Sequence, residues 1–184
     1  MIGELPRTLE VDGKQYEINT DYRIALLIFE AYDDVDLTDN ERAEICLSCL
    51  YGENNIPENV SEALKRAIWF LDGGDAPKSK SYNRKLIDWK QDERIIFPAI
   101  NKVAGREVRT VEYMHWWTFL GLFSEIGEGM FSSVMNIRTK KAKNKNLEKY
   151  EQEFYRDNKD IIDIKPHYTE AEQAEIDRLK KLLG

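Results

Sequence analysis

The sequence predicts a mainly α-helical domain with an N-terminal β-hairpin. Two observations carry this. Apolar and polar residues alternate on both sides of Asp12-Gly13, and beyond residue 20 apolar residues recur at helical spacing behind recognisable caps. In the hairpin, expected over about residues 8–18, Thr8–Val11 and Gln15–Ile18 flank a dipeptide suited to a tight turn at positive φ. Leu9, Val11, Tyr16 and Ile18 then share one face, which must pack on helices because an isolated hairpin is unstable.

Asn19 or Thr20 is expected to cap a first helix ending near Ala31, with Tyr22, Ala25, Leu26 and Phe29 on one side. Asp33–Asp36 reads as an acidic loop. Thr38 and Glu41 have the spacing of a capping box, which starts a second helix ending near Tyr51, with Gly52 left-handed behind it. Pro57 suits the first turn of a third helix, which ends at Leu71. Residues 72–81, DGGDAPKSKS, read as a mobile loop. Asn83–Ala104 reads as a helix that Pro98 kinks or splits near Arg94 and Gly105 ends. Thr110 opens an aromatic helix from Val111 to about Phe123. Gly121, Gly127 and Gly129 then mark a bend into a helix over about residues 130–140. Thr169 and Glu172 form a second capping box, for a terminal helix over 170–183. The whole chain, 1–184, is expected to be one domain.

Composition bounds the function. Hydrophobic residues make up 42% of the 184 and charged residues 33%, enough apolar matter for a packed core. The net charge of −7 and pI near 5.1 argue against a wholesale nucleic-acid binder. Met1–Pro6 has neither the basic region nor the apolar run of a secretory leader, and no stretch is apolar for long enough to span a membrane. Two cysteines give no disulfide framework, so a reducing cytoplasm is the expected compartment.

Motifs for chemistry are missing. Cys46-Leu47-Ser48-Cys49 lies mid-helix among Ile45 and Leu50 and reads as core rather than as a redox or zinc pair. Asp34–Thr38 begins like a calcium loop, but Asp39 and Ile45 stand where that loop needs glycine and glutamate. Gly73-Gly74 and Gly127–Gly129 lack the flanking residues of phosphate loops. With two histidines and no nucleophile motif, no enzymatic activity, cofactor or metal is expected. Asp92 and Glu93 are neighbours and point apart on a helix.

Two features remain. His115-Trp116-Trp117-Thr118-Phe119 concentrates aromatics, and adjacent tryptophans point about 100° apart. If one is core, the other lies near an edge or an interface. Residues 138–149 hold Arg138, Lys140, Lys141, Lys143, Lys145 and Lys149 against Glu148, a net +5 in an acidic chain. This run reads as a solvated face or a steering patch for an acidic partner, more than as a phosphate track.

Asp88–Ile100, then His115–Leu120, then the Glu/Gly-rich bend, then Ile137-Arg138 with its lysines resembles, in order and spacing, the gene-product-fifteen family of long-tailed phages and prophages of Gram-positive bacteria. The likeness is strongest over residues 82–158. It departs at Val103–Val108, where Gly105 is kept and the family's acidic pair is not. The resemblance implies a tail assembly chaperone of the bacterial host cytoplasm that coats the helical, apolar tape measure protein. Self-association is a further expectation, and membrane or nucleic-acid partners are not. Under this reading Trp116, Trp117, Phe119 and Phe123 form the apolar contact surface, and Lys140, Lys141, Lys143 and Lys145 supply steering. The rival readings are a structural tail or head–tail component retained in the virion, a nucleic-acid-binding regulator and, last, an enzyme with an unrecognised site.

Overall fold

The computed structural model describes residues 3–75 and 85–183. Strand β1 (Thr8–Val11) pairs antiparallel with β2 (Lys14–Glu17), Leu9 opposite Tyr16. Asp12 (φ 50°) and Gly13 (φ 77°) make the turn at positive φ, as the strand twist demands. Leu9 and Val11 are buried, while Tyr16 and Ile18 are half-buried.

The helices among the described residues are α1 (Tyr22–Asp33), α2 (Asp39–Tyr51), α3 (Val60–Leu71), α4 (Trp89–Ala104), α5 (Trp116–Ser124), α6 (Met130–Ala142), α7 (Lys149–Asp157), α8 (Lys159–Ile162) and α9 (Glu170–Leu183). A 3-10 turn spans Val108–Thr110. β1 packs on α3, α1 on α2, α4 and α5, and α4 on α6. Asn59 joins two levels of this order. Its side-chain oxygen caps α3 at the Glu62 amide (3.2 Å), and its amide donates to both Asp12 carboxylate oxygens (3.1 and 3.0 Å).

Several boundaries differ from expectation. Asp21, not Asn19 or Thr20, caps α1, accepting from the Arg23 amide at 2.9 Å. Pro57 precedes α3 by three residues, because Asn59 supplies the cap. Gly52 has positive φ (79°), but its ψ of 145° lies outside the left-handed helical basin. α4 starts at Trp89 behind Asp88 and runs through Pro98 unsplit. Pro98 and Arg94 are exposed, so the Arg94 carbonyl that loses its helical donor can face water. α5 starts five residues beyond Val111, because the preceding chain is claimed by tertiary pairing. The Tyr22 amide donates to the Met114 carbonyl (3.0 Å) and the Trp116 amide to the Thr20 carbonyl (2.7 Å). α6 runs two residues further than expected. Its end is closed by Asn144 at φ 52°, with the Lys145 amide donating to the Lys140 carbonyl (2.8 Å). Both capping boxes form, at Thr38–Glu41 and Thr169–Glu172.

Of the loop expected at 72–81, residues 76–81 lie outside the described residues, as does Asn83. Residues 72–74 form an ordered turn. Gly73 and Gly74 adopt φ of 74° and 87°, and their amides donate to the Phe70 and Trp69 carbonyls (3.1 and 2.9 Å). This is a Schellman closure of α3.

The core is aromatic. Tyr22 stacks on Phe119 at 4.6 Å, and Trp116 lies 5.7 Å from both Phe119 and Phe29. The two tryptophans share one task. The Trp116 indole donates to the Leu71 carbonyl (2.9 Å) and the Trp117 indole to the Phe70 carbonyl (2.8 Å). Both carbonyls belong to the last turn of α3, beyond the reach of its own ladder, and that of Phe70 also accepts from the Gly73 amide. His115 starts the unit: its Nδ1 accepts from the Trp117 amide (3.0 Å), which leaves the proton on Nε2, facing the Pro6 carbonyl (2.9 Å).

Arg138 is a buried cation. It is 5% exposed, and all five of its N–H groups are used. Two form a fork on the Asp92 carboxylate (2.5 and 2.8 Å). The others go to the carbonyls of Leu86, Ile161 and Ile162 (2.9, 2.8 and 2.7 Å). Asp92 also accepts from the Asp88 amide (3.0 Å). Glu93, its neighbour, is exposed, so the two carboxylates do point apart.

Two stability measurements check this account. A Cβ on Gly74 would lie 2.8 Å from the Trp117 ring at a φ that side chains avoid, so Gly74→Ala costs about 1–3 kcal/mol in urea denaturation. Gly127→Ala meets nothing within 4 Å and stays near wild type. Arg138→Met strands the buried Asp92 carboxylate and costs about 3–5 kcal/mol. Arg138→Lys recovers only a minor part, because an ammonium cannot supply the planar fork.

Candidate partner-binding cleft

A cleft of about 800 Å³ runs between α1 and α4. Helical spacing builds its walls: Tyr22, Leu26 and Leu27 from α1, Trp89 and Phe97 from α4. Leu27 is 49% exposed, so the apolar wall is open to solvent. Lys90 and Glu30 bridge the two helices at 2.9 Å.

At one end Arg109 lies over the Phe97 ring (5.1 Å) and Arg23 over the Tyr22 ring (4.7 Å). Arg23 is fixed by the Val111 carbonyl (2.5 Å) and Asp21 (3.0 Å). Arg109 is held by Glu107 (2.8 Å), whose carboxyl is drawn down to about 2 by hydrogen bonds from the Arg109 side chain and amide.

The other end is acidic. Asp33, Asp34 and Asp36 surround Val35, and the C-terminal segment contributes His167 and Tyr168. Asp88 organises this end. It caps α4 at the Gln91 amide (2.8 Å) and accepts from Lys85 (2.9 Å) and His167 Nε2 (2.7 Å). Lys85 reaches on to Asp33 (2.7 Å). Burial pushes the Asp88 carboxyl up, but the hydrogen bonds from Gln91, Lys85 and His167 outweigh it and hold it well below the usual carboxylate range. Gln91 adds a second strap, donating to the Asp163 carbonyl and accepting from the Lys165 amide (both 2.9 Å). Around the whole cleft six carboxylates face three arginine or lysine side chains, so its field is negative.

The residues proposed from sequence fall elsewhere. Trp116 and Phe119 are buried (1% and 0% exposed) and offer no contact surface. Trp117 and Phe123 are half-buried, Trp117 against Trp69 (5.4 Å) and the Gly73-Gly74 turn, Phe123 against Trp89 (5.4 Å) and Phe131 (5.3 Å). The basic run is also largely engaged. Arg138 is interior, Lys140 pairs with the buried Glu151 (2.6 Å), and Lys141 pairs with Asp163 (2.6 Å) and covers the Tyr155 ring (3.9 Å). Lys143 and Lys145 are exposed in the turn after α6. The acidic stretch 33–36, read from sequence as a plain loop, is the part of the cleft that its charge density signalled.

Cys46 is buried and Cys49 half-buried, and both are free thiols. Burial pushes the Cys46 thiol up to about 11, the opposite of what a reactive cysteine needs. Among the described residues no cluster of three or more histidine, cysteine, aspartate or glutamate side chains is placed to hold a metal, and no helix is long and apolar enough to cross a membrane.

The chain is a bacteriophage protein. Residues 1–164 match the family described as Bacteriophage Gp15 protein, and the chain belongs to that family. The match ends between α8 and α9. No curated protein and no solved structure matches the chain.

The strap at Asp88 gives a pH-dependent expectation. A depressed carboxyl stabilises the folded form when ionised. The contribution is therefore complete above about pH 4 and is lost as stronger acid protonates Asp88. Asp88→Ala releases the strap at neutral pH. Backbone order parameters at residues 167 and 168, measured by NMR relaxation, then fall below about 0.6, while those of β1 stay unchanged.

Proposed function

We propose that the chain is a tail assembly chaperone that binds the phage tape measure protein and shields it in the host cytoplasm during tail assembly. Family membership makes it a bacteriophage protein. The chaperone role follows from the resemblance drawn from Asp88–Ile100, His115–Leu120 and Ile137-Arg138.

The observation that carries the contact is the cleft between α1 and α4. An apolar wall exposed at Leu27 and half-buried at Leu26 and Trp89, beside charged rims, suits one face of an amphipathic helix. A contact of this size buries little area, which fits a partner that must later be released. The contact surface therefore moves from the α5 aromatics to the cleft. Trp116 and Phe119 support it from behind through Phe29, Trp89 and Tyr22. The reading invokes no catalysis and no cofactor.

Co-expression with the tape measure protein tests it. The wild-type chain keeps the tape measure soluble and co-purifies with it. Leu27→Asp, at an exposed cleft position, lowers the soluble tape measure at least tenfold without changing the chain's own thermal melt. Equal solubilisation by Leu27→Asp removes the cleft from the reading. No complex with the wild-type chain, together with its detection in purified virions by mass spectrometry, replaces the chaperone with a structural component.

A further inference from the structure

α9 is an amphipathic helix whose apolar face is largely open to solvent. Leu179 is 50% exposed and Leu182 73%. At 100° per residue Ile176, Leu179 and Leu182 share one face with Glu175, flanked by Arg178 on one side and on the other by Lys180, which pairs with Asp177 (4.0 Å). The cleft presents the complement: open apolar positions at Leu27 (49% exposed) and Val35 (39%), beside Glu30, Asp33 and Asp34.

The two surfaces do not meet within one chain. Tyr168 lines the cleft, and Thr169 caps α9 immediately after it. The helix thus starts at the cleft and leaves it, and Leu179, eleven residues beyond Tyr168, lies about 16 Å further along the axis.

From these observations we propose that the cleft of one copy receives the C-terminal half of α9 from a second copy. Leu179 and Leu182 seat against Leu27 and Val35, and the basic flanks face the acidic end of the cleft. Exchanged reciprocally, the contact is two-fold, closed, and covers both apolar surfaces at once. The inference rests on the chain itself, and because α9 fills the cleft proposed above for the client, dimer and client complex exclude one another.

The test is the mass in solution of the full chain, by light scattering after size exclusion at about 100 μM. The wild-type chain is expected as a dimer that dissociates as salt is raised from 50 to 500 mM. Leu179→Asp/Leu182→Asp, on exposed positions of α9, is expected to be monomeric with an unchanged thermal melt. A labelled peptide of residues 169–184 should bind that double variant, and Leu27→Asp should abolish this binding. A monomeric wild-type chain overturns the proposal, and so does a dimer that survives the α9 substitutions. Peptide binding unaffected by Leu27→Asp removes the cleft as the receptor and overturns it too.

Discussion

A guanidinium in the interior constrains the rest of the fold. Taking Arg138 out of water is costly unless its charge and every one of its donors are answered. The chain answers with a carboxylate from α4 and carbonyls from the segment before α4 and from α8. These elements are therefore fixed relative to α6 by one side chain. Asp92 passes the constraint on through the Asp88 amide. Asp88 in turn sets the start of α4, holds His167, and through Lys85 reaches the end of α1. The acidic end of the cleft is thus assembled around a buried pair that does not line it.

How much of this was legible follows from how local each signal is. The hairpin, the capping boxes at Thr38 and Thr169, and the stop at Gly105 rest on residues within ten positions of one another, and all are read correctly from sequence. The starts of α4 and α5 are not. Each is set by a partner far along the chain: the Thr20–Tyr22 backbone pairs with Met114–Trp116, and Asp88 answers to Arg138 through Asp92. Arg138 itself reads as one cation of a basic run, because its partner lies 46 positions earlier. The cleft is the hardest to foresee, since it joins Leu27, Trp89 and Tyr168 from three separated segments.

The aromatic motif teaches a related lesson. His115-Trp116-Trp117 attracts attention as a contact surface because large aromatic side chains dominate interfaces. Here the same residues terminate and join helices. His115 caps α5, and the two indoles complete the end of α3. A motif that makes a family recognisable can serve the scaffold, while the surface that meets partners is built from dispersed residues on α1 and α4. The long-range bonds of the motif also explain why its local helical pattern overestimates the length of α5.

The placement of the indoles has an optical consequence. All four tryptophans of the chain, Trp69, Trp89, Trp116 and Trp117, belong to one contiguous array in which Trp69 touches Trp117 and Trp89 lies 6.5 Å from Trp116. Nothing beyond residue 117 carries an indole. Indole emission is therefore a local gauge of the junction between α3, α4 and α5. Far-ultraviolet dichroism sees all the helices. Recorded together, the two signals separate loss of the C-terminal helices from collapse of the aromatic centre without any label.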